Sequence, residues 1–310
     1  MATTPPRSYF RKKPIQARSR RTVEAILEAT DRVLRRDGYE VASTNRIAQV
    51  AGYSVGSLYQ YFADKESVVR TLIDQSLARE DQLVAECLAK KEGQPLGHVL
   101  ESLVDFLLQG RWMDAHVHRT LASECAGLYG QPALARILEA QAALPTALQQ
   151  LAIKHWDGLR RDDLGATLWV LMAATQAVTF QAAVSPQPDV TLASLVAPLG
   201  EAWSHALQGP GLEHPLVEEL APTWRRGPNA TTDDALTVSP RLAEIRALLL
   251  RSQVAGDPAR FAPAAFALAC LPALAALPAT ARPGVSDEAL DRELRVFASA
   301  ALETCHAPTG

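Results

Sequence analysis

Along residues 20–91, apolar side chains return every three or four positions, stop, and resume; each break falls on residues that end or begin helices. Val23, Ile26, Leu27, Thr30 and Leu34 form one face of a helix predicted over Arg20–Asp37 and closed by Gly38–Tyr39. Ser43 is a predicted N-cap, because the first backbone N–H groups of a helix lack partners. Ile47, Ala48 and Val50–Ala51 give the next short apolar face, and Gly52 is suited to the left-handed turn that ends it. Ser54 caps a third helix. In it Val55, Leu58 and Phe62 stand at i, i+3 and i+7, so Leu58 and Phe62 turn inward. Gly56, Ser57, Tyr59, Gln60 and Tyr61 then fall largely on the other faces. Asp64 caps a fourth helix running from Lys65 to about Lys91, with a stripe that includes Val68, Val69, Leu72, Ile73, Leu77 and Leu88.

The same periodicity continues to the C-terminus. Residues 92–207 predict five helices: Leu96–Gly110, Asp114–Tyr129, one from Pro132 interrupted near Pro145 and ending at Trp156, Asp162–Val184, and Val190–Gln208. The fourth is apolar almost all round, the mark of a helix covered on every side. Residues 209–240 hold five prolines and three glycines and read as a linker or irregular strap. Three further helical patterns follow, Arg241–Gln253, Pro258–Leu277 and Ser286–Thr304. At an offset of 95 residues, Pro188, Val190, Leu195, Leu199, Ala206 and Leu207 recur as Pro283, Val285, Leu290, Leu294, Ala301 and Leu302, each set preceded by an Ala-rich apolar helix. This suggests a degenerate repeat; the alternative is a helical addition that covers apolar surface. The expected fold class is all-α, with no alternating strand pattern.

Composition agrees: the chain is 48% hydrophobic and only 6% aromatic, dominated by Ala and Leu. At 310 residues it has room for two domains, perhaps three. The net charge of −3 argues against a nucleic-acid partner until its distribution is considered. Residues 1–23 carry Arg7, Arg11, Lys12, Lys13, Arg18, Arg20 and Arg21 and no acidic side chain. Residues 1–80 are net +5 and the remainder net −8, which concentrates attraction for phosphate at the N-terminal end. Residues 1–17, with Pro5, Pro6 and Pro14, read as a basic flexible arm. Cys87, Cys125, Cys270 and Cys305 are far apart and suggest neither a zinc site nor a disulfide framework. His116 and His118, two apart, face different ways, and no metal or cofactor is expected. The basic N-terminus lacks the apolar core of a signal peptide. Leu168–Val184 comes nearest to a membrane span, but Thr175, Gln176, Thr179 and Gln181 make it a buried helix. A cytoplasmic, nucleoid-associated protein is the expectation.

A short helix, a glycine turn and a second short helix form the helix-turn-helix pattern. An ordinary helical hairpin shares that local pattern. Arg21–Ala29 (RTVEAILEA), Gly38–Tyr39, Ile47–Ala48, Ala51–Ser54, Gly56–Tyr59, Tyr61–Phe62 and Lys65–Glu66 together widen the match. Over about residues 18–70 the chain resembles the TetR family of bacterial transcriptional regulators. The resemblance implies a DNA-binding domain over 18–66, a helical regulatory and dimerisation domain over 67–208, a homodimer, and a pseudo-palindromic double-stranded operator. It implies repression relieved by an unknown small-molecule effector, with the long fourth helix as lever. Linker 209–240 and a C-terminal extension 241–304 stand outside the pattern. Activation from the same reading head, or a helical protein-interaction module, are the alternatives.

The resemblance also distributes roles. Thr44 and Arg46 are expected at phosphates, and Asn45 near a base. Val55, Gly56 and Ser57 open the recognition helix nearest the base edges, with Tyr59, Gln60 and Tyr61 behind them and Lys65 at the backbone. No arginine stands on that helix, so specificity should lean on apolar contacts and DNA shape. Candidate effector contacts are Trp112, His116, Glu124, Tyr129, Trp156, Trp169, Gln176 and Phe180, polar or aromatic groups within helices. Gly52–Gly56 also spells G-x-S-x-G, the nucleophile elbow of hydrolases, but that elbow follows a strand, and the residues before Ser54 have helical spacing. No enzymatic activity is expected.

Overall fold

The computed structural model describes residues 9–91, 93–108, 133–140, 144–159, 163–208, 214–224, 238–252, 258–277 and 281–305. Among them every regular element is a helix, and the only β-type pairings are isolated bridges between Phe10 and Phe62 and between Gln187 and Val190. The chain divides into two compact units that meet in sequence between Asp81 and Gln82.

The first unit contains α1 (Ala17–Val41), α2 (Thr44–Ala51), α3 (Val55–Tyr61) and most of α4 (Lys65–Ala89). The predicted glycine breaks and side-chain caps are present. Gly38 breaks α1 at φ 76° and ψ 169°, a region essentially restricted to glycine. The Ser43 hydroxyl accepts from the Arg46 N–H at 3.3 Å, and Ser54 from the Ser57 N–H at 3.1 Å. Asp64 and Ser67 cap each other: Ser67 N–H donates to Asp64 Oδ1 at 2.7 Å, and Asp64 N–H to Ser67 Oγ at 3.2 Å. Ile26, Leu27, Leu34, Ile47, Leu58, Phe62 and Val69 fill the interior.

The arm expected to be mobile over residues 1–17 is fixed in part. Arg11 N–H donates to the Tyr61 carbonyl at 2.7 Å, and the Phe10 ring lies 5.1 Å from that of Phe62. The Arg70 guanidinium sits 5.5 Å from the Tyr9 ring. Helix α1 also begins three residues before the predicted Arg20.

The second unit contains the end of α4, α5 (Leu96–Leu108), α6 (Ala133–Ala140), α7 (Leu144–His155), α8 (Leu164–Val184) and α9 (Leu192–Gln208). It continues through α10 (Val217–Trp224), α11 (Val238–Arg251), α12 (Pro258–Ala275) and α13 (Asp287–Glu303). The helix expected over Asp114–Tyr129 lies outside the described residues. Helix α8 is the spine: every residue from Ala166 to Gln181 is buried. Its threonines are hydrogen-bonded within the core. Thr175 and Thr179 hydroxyls donate to carbonyls four residues back, and Trp203 Nε1–H donates to Thr175 Oγ1 at 3.0 Å.

The stretch 209–240, read in sequence as a linker or irregular strap, contains α10, whose Leu220 and Trp224 are buried and which packs on α12 and α13. The C-terminal helices join the packing of this unit. Helices α12 and α13 pack on α8 and α9, and their apolar residues belong to the same core as Leu103, Leu171 and Trp203.

The buried Glu293 carboxylate accepts from the Thr167 hydroxyl at 2.8 Å and from Arg292 Nε at 2.9 Å, pinning α13 to α8. Glu293→Ala is expected to cost about 1–3 kcal/mol, as for a buried polar partner lost, and urea unfolding followed by circular dichroism checks it.

Candidate nucleic-acid interface

Helix α3 has seven residues, too short to persist alone in water. Leu58 and Phe62, both fully buried, anchor it, and burial of each contributes about 1.5–3 kcal/mol. The opposite side is left outward. Gly56, Tyr59 and Gln60 are exposed, and Val55, Ser57 and Tyr61 are half-buried. At the start of α2, Asn45 is exposed while Thr44 and Arg46 are half-buried. The residues expected at phosphates and bases therefore lie on two adjoining short helices of one domain.

Their hydrogen bonds define what each offers. Thr44 Oγ1 and Tyr59 Oη lie 3.0 Å apart, tying the start of α2 to the middle of α3. One hydroxyl hydrogen joins the pair; the other is available to an acceptor such as a phosphate oxygen. Ser54 Oγ and Ser57 Oγ lie 2.9 Å apart, which sets the Ser57 hydroxyl in place at the beginning of α3. Arg46 donates through Nη1 to Gln49 Oε1 at 2.7 Å, and its Nε is 3.8 Å from the Asp37 carboxylate. Asp37 is held below the usual carboxylate range, chiefly by its hydrogen bond from Arg36, so it remains ionised and offsets part of the Arg46 charge.

Lys65 departs most from its expected role. Its ammonium donates to the Tyr39 carbonyl at 2.9 Å and lies 4.0 Å over the Tyr39 ring. One of its three donors thus has a partner inside the domain, because the capping turn of α4 lies beside the Gly38 break. The exposed run Arg11–Lys12–Lys13, part of the basic cluster noted in sequence, is fixed by the Phe10–Phe62 contact beside the C-terminal end of α3. The adjacent aromatics Tyr9 and Phe10 within that basic, proline-bearing segment were the signal that it packs on the domain.

The effector candidates are scattered differently. Trp112, His116, Glu124 and Tyr129 lie outside the described residues. Trp156 is buried and donates Nε1–H to the Gln94 carbonyl at 2.9 Å, bracing the segment before α5. Trp169, Gln176 and Phe180 are buried along α8. Cys270 is enclosed in α12, and burial pushes its thiol far above the ordinary range, so it stays protonated and unreactive. No metal-holding group of His, Cys, Asp or Glu occurs among the described residues, and no described helix is long and apolar enough to cross a membrane. Ser54 follows a helix, not a strand, and serves as an N-cap, so the G-x-S-x-G reading has no elbow here.

This domain is a helix-turn-helix of the type that presents its second short helix to a DNA groove. Residues 26–72 match the model of the bacterial regulatory proteins, tetR family, and the chain carries that family's N-terminal domain. Over 63 residues it is 35% identical to the HTH-type transcriptional repressor AcnR of Corynebacterium diphtheriae, covering 20% of this chain and 33% of that protein. Over 85 residues it is 29% identical to an uncharacterized HTH-type transcriptional regulator, YfiR of Bacillus subtilis, covering 27% of this chain and 40% of that one. The chain thus spans only about a third of the length of these curated relatives. A solved TetR-family regulator from Mesorhizobium loti shares the fold with a TM-score of 0.51 at 19% identity, covering all of that chain and 62% of this one.

Two glycines in this region have opposite requirements. Gly52 has φ 74°, so Gly52→Ala places a Cβ in a left-handed conformation and is expected to cost about 1–2 kcal/mol of domain stability. Gly56 is helical, and an added Cβ meets only Ser54 Oγ at 3.7 Å, an ordinary contact. Gly56→Ala should therefore raise thermal stability slightly while weakening DNA binding at least tenfold. Melting curves and fluorescence anisotropy on one pair of variants separate the two effects.

Proposed function

We propose that the protein is a sequence-specific DNA-binding transcriptional regulator, acting as a repressor, that reads duplex DNA with α3. The observation that carries this reading is the division of α3. Leu58 and Phe62 are sunk in the core, and Gly56, Tyr59 and Gln60 are bare, with the cations Arg11, Lys12 and Lys13 beside them. Repression is the role named for the AcnR relatives. Thr44, Arg46, Tyr59, Tyr61 and Lys65 position the domain on phosphates; Val55, Gly56 and Ser57, with Asn45 and Gln60 at the margins, meet base edges. A small effector held in the helical second unit modulates operator affinity, with Trp156, Trp169, Gln176 and Phe180 among its candidate contacts.

Selection from a random duplex pool at about 0.15 M salt tests this directly, because specific recognition survives where counterion-driven attraction collapses. An enriched motif supports the reading; a palindrome reports the homodimer expected from the family resemblance, and an unrepeated motif reports one head acting alone. Retention that vanishes with salt and enriches nothing overturns it. On the enriched duplex, Tyr59→Phe should weaken binding to all sequences by roughly tenfold, an energy of about 1.4 kcal/mol, with base preference unchanged. Ser57→Ala should instead change which base is preferred at one position, read by repeating the selection.

A further inference from the structure

The offset of 95 residues seen in sequence is also an offset in structure. Helices α9 (Leu192–Gln208) and α13 (Asp287–Glu303) begin and end 95 residues apart. The same turn precedes both: Val190 N–H donates to the Gln187 carbonyl at 3.3 Å, and Val285 N–H to the Arg282 carbonyl at 3.1 Å. Equivalent hydroxyls cap both: Ser194 N–H donates to Thr191 Oγ1, and Ala289 N–H to Ser286 Oγ, each at 3.1 Å. Every buried position of α9 except Gly200 has a buried counterpart 95 residues later. Where α9 has Ala202–Trp203, α13 has Phe297–Ala298, with large and small exchanged.

The preceding helices correspond too. Buried Leu148 and Ala152 of α7 match Ile245 and Leu249 of α11, and exposed Ile153 matches exposed Leu250, at an offset of 97. The second copy is two residues shorter between these points.

The helix pairs that join the two copies form a symmetric pattern. Between the copies, α8 packs most on its counterpart α12, and α9 on its counterpart α13, while α9 also packs extensively on α5; the diagonal pairs α8–α13 and α9–α12 are less extensive and similar to each other. Helix α7 flanks α8 as α11 flanks α12. A self-complementary contact of this kind is what two identical chains make across a two-fold axis. Here one chain makes it. Polar clasps join the copies: Thr167 to Glu293, Asp163 to Arg292 at 2.6 Å, and Asp189 to Arg246 at 2.7 Å.

We propose that residues 238–305 are an internal second copy of α7–α9, seated on the face that a second chain would otherwise cover. The protein is therefore monomeric, with one reading head, and takes a single unrepeated DNA motif. Two observations support closure of that face. Helix α8 is already covered all round within one chain, and among the described residues of this unit the only exposed large apolar side chains are Ile153 and Leu250. A stable interface buries about 800 Å² per partner around an apolar centre, which two separated residues do not supply. Covalent attachment also places the second copy at an effective concentration on the order of millimolar, about a thousandfold above a second chain at micromolar concentration.

Sedimentation equilibrium on the full chain across the micromolar range gives the first test. A constant mass of 33.5 kDa is expected; a mass that doubles with concentration overturns the proposal. This readout does not depend on whether the first unit reads DNA, so it stands apart from the regulator reading. The single-motif consequence does rest on that reading, and its test is stoichiometry on the enriched duplex by light scattering. One chain per duplex with an unrepeated motif is expected, and two chains on a palindrome overturn it.

Discussion

Burial of Leu58 and Phe62 is the interaction on which the reading surface depends. A seven-residue helix has no stability of its own, so its position and the direction of its outer face are set by these two side chains. Phe62 also receives the Phe10 ring, and the basic segment Arg11–Lys13 is held at the end of α3 by that contact. Anchor and charge are thus coupled: the group that fixes the recognition helix also fixes the cations beside it. The polar contacts around them set hydroxyl directions more than they hold the domain together, since Thr44, Tyr59, Ser54 and Ser57 pair near solvent.

The second unit answers a different constraint. Helix α8 is apolar on all sides, and an all-round apolar helix in water must be covered on all sides. Helices α5, α7 and α9 cover part of it, and α12 and α13 cover the rest. The C-terminal third of the chain thereby acquires a physical reason for its composition. Its Ala-rich helices allow close packing, and its arginines meet acidic partners on helices or turns far away in sequence, as Arg292 meets Asp163 and Arg295 meets Glu218. A chain that carries its own cover has less need of a second copy of itself.

Much of this was legible from residues alone. The caps Ser43, Ser54 and Asp64, the left-handed Gly52, the inward Leu58 and Phe62 and the all-round apolar α8 follow from local rules, because helix starts, stops and faces are decided by neighbours within a turn or two. The repeat at offset 95 was visible as six recurring residues, and the packing of α12 and α13 on α8 and α9 is what the structure adds to it. Three features lay beyond local rules for one shared reason: the anchoring of the basic arm at Phe10, the second partner of Lys65, and the packing of the C-terminal helices. In each case the deciding partner is remote: Phe62 for Phe10, Tyr39 for Lys65, and α8 and α9 for α12 and α13.

The sequence by itself determined the all-α class, the helix-turn-helix and the residues it turns outward, because periodicity and capping are local and their energies are added within a few residues. Only the tertiary structure decided that the last helices close over the first set in the same chain. That outcome depends on two apolar faces matching in shape across about a hundred residues of sequence, and matching of faces is a property of packed side chains, not of their order.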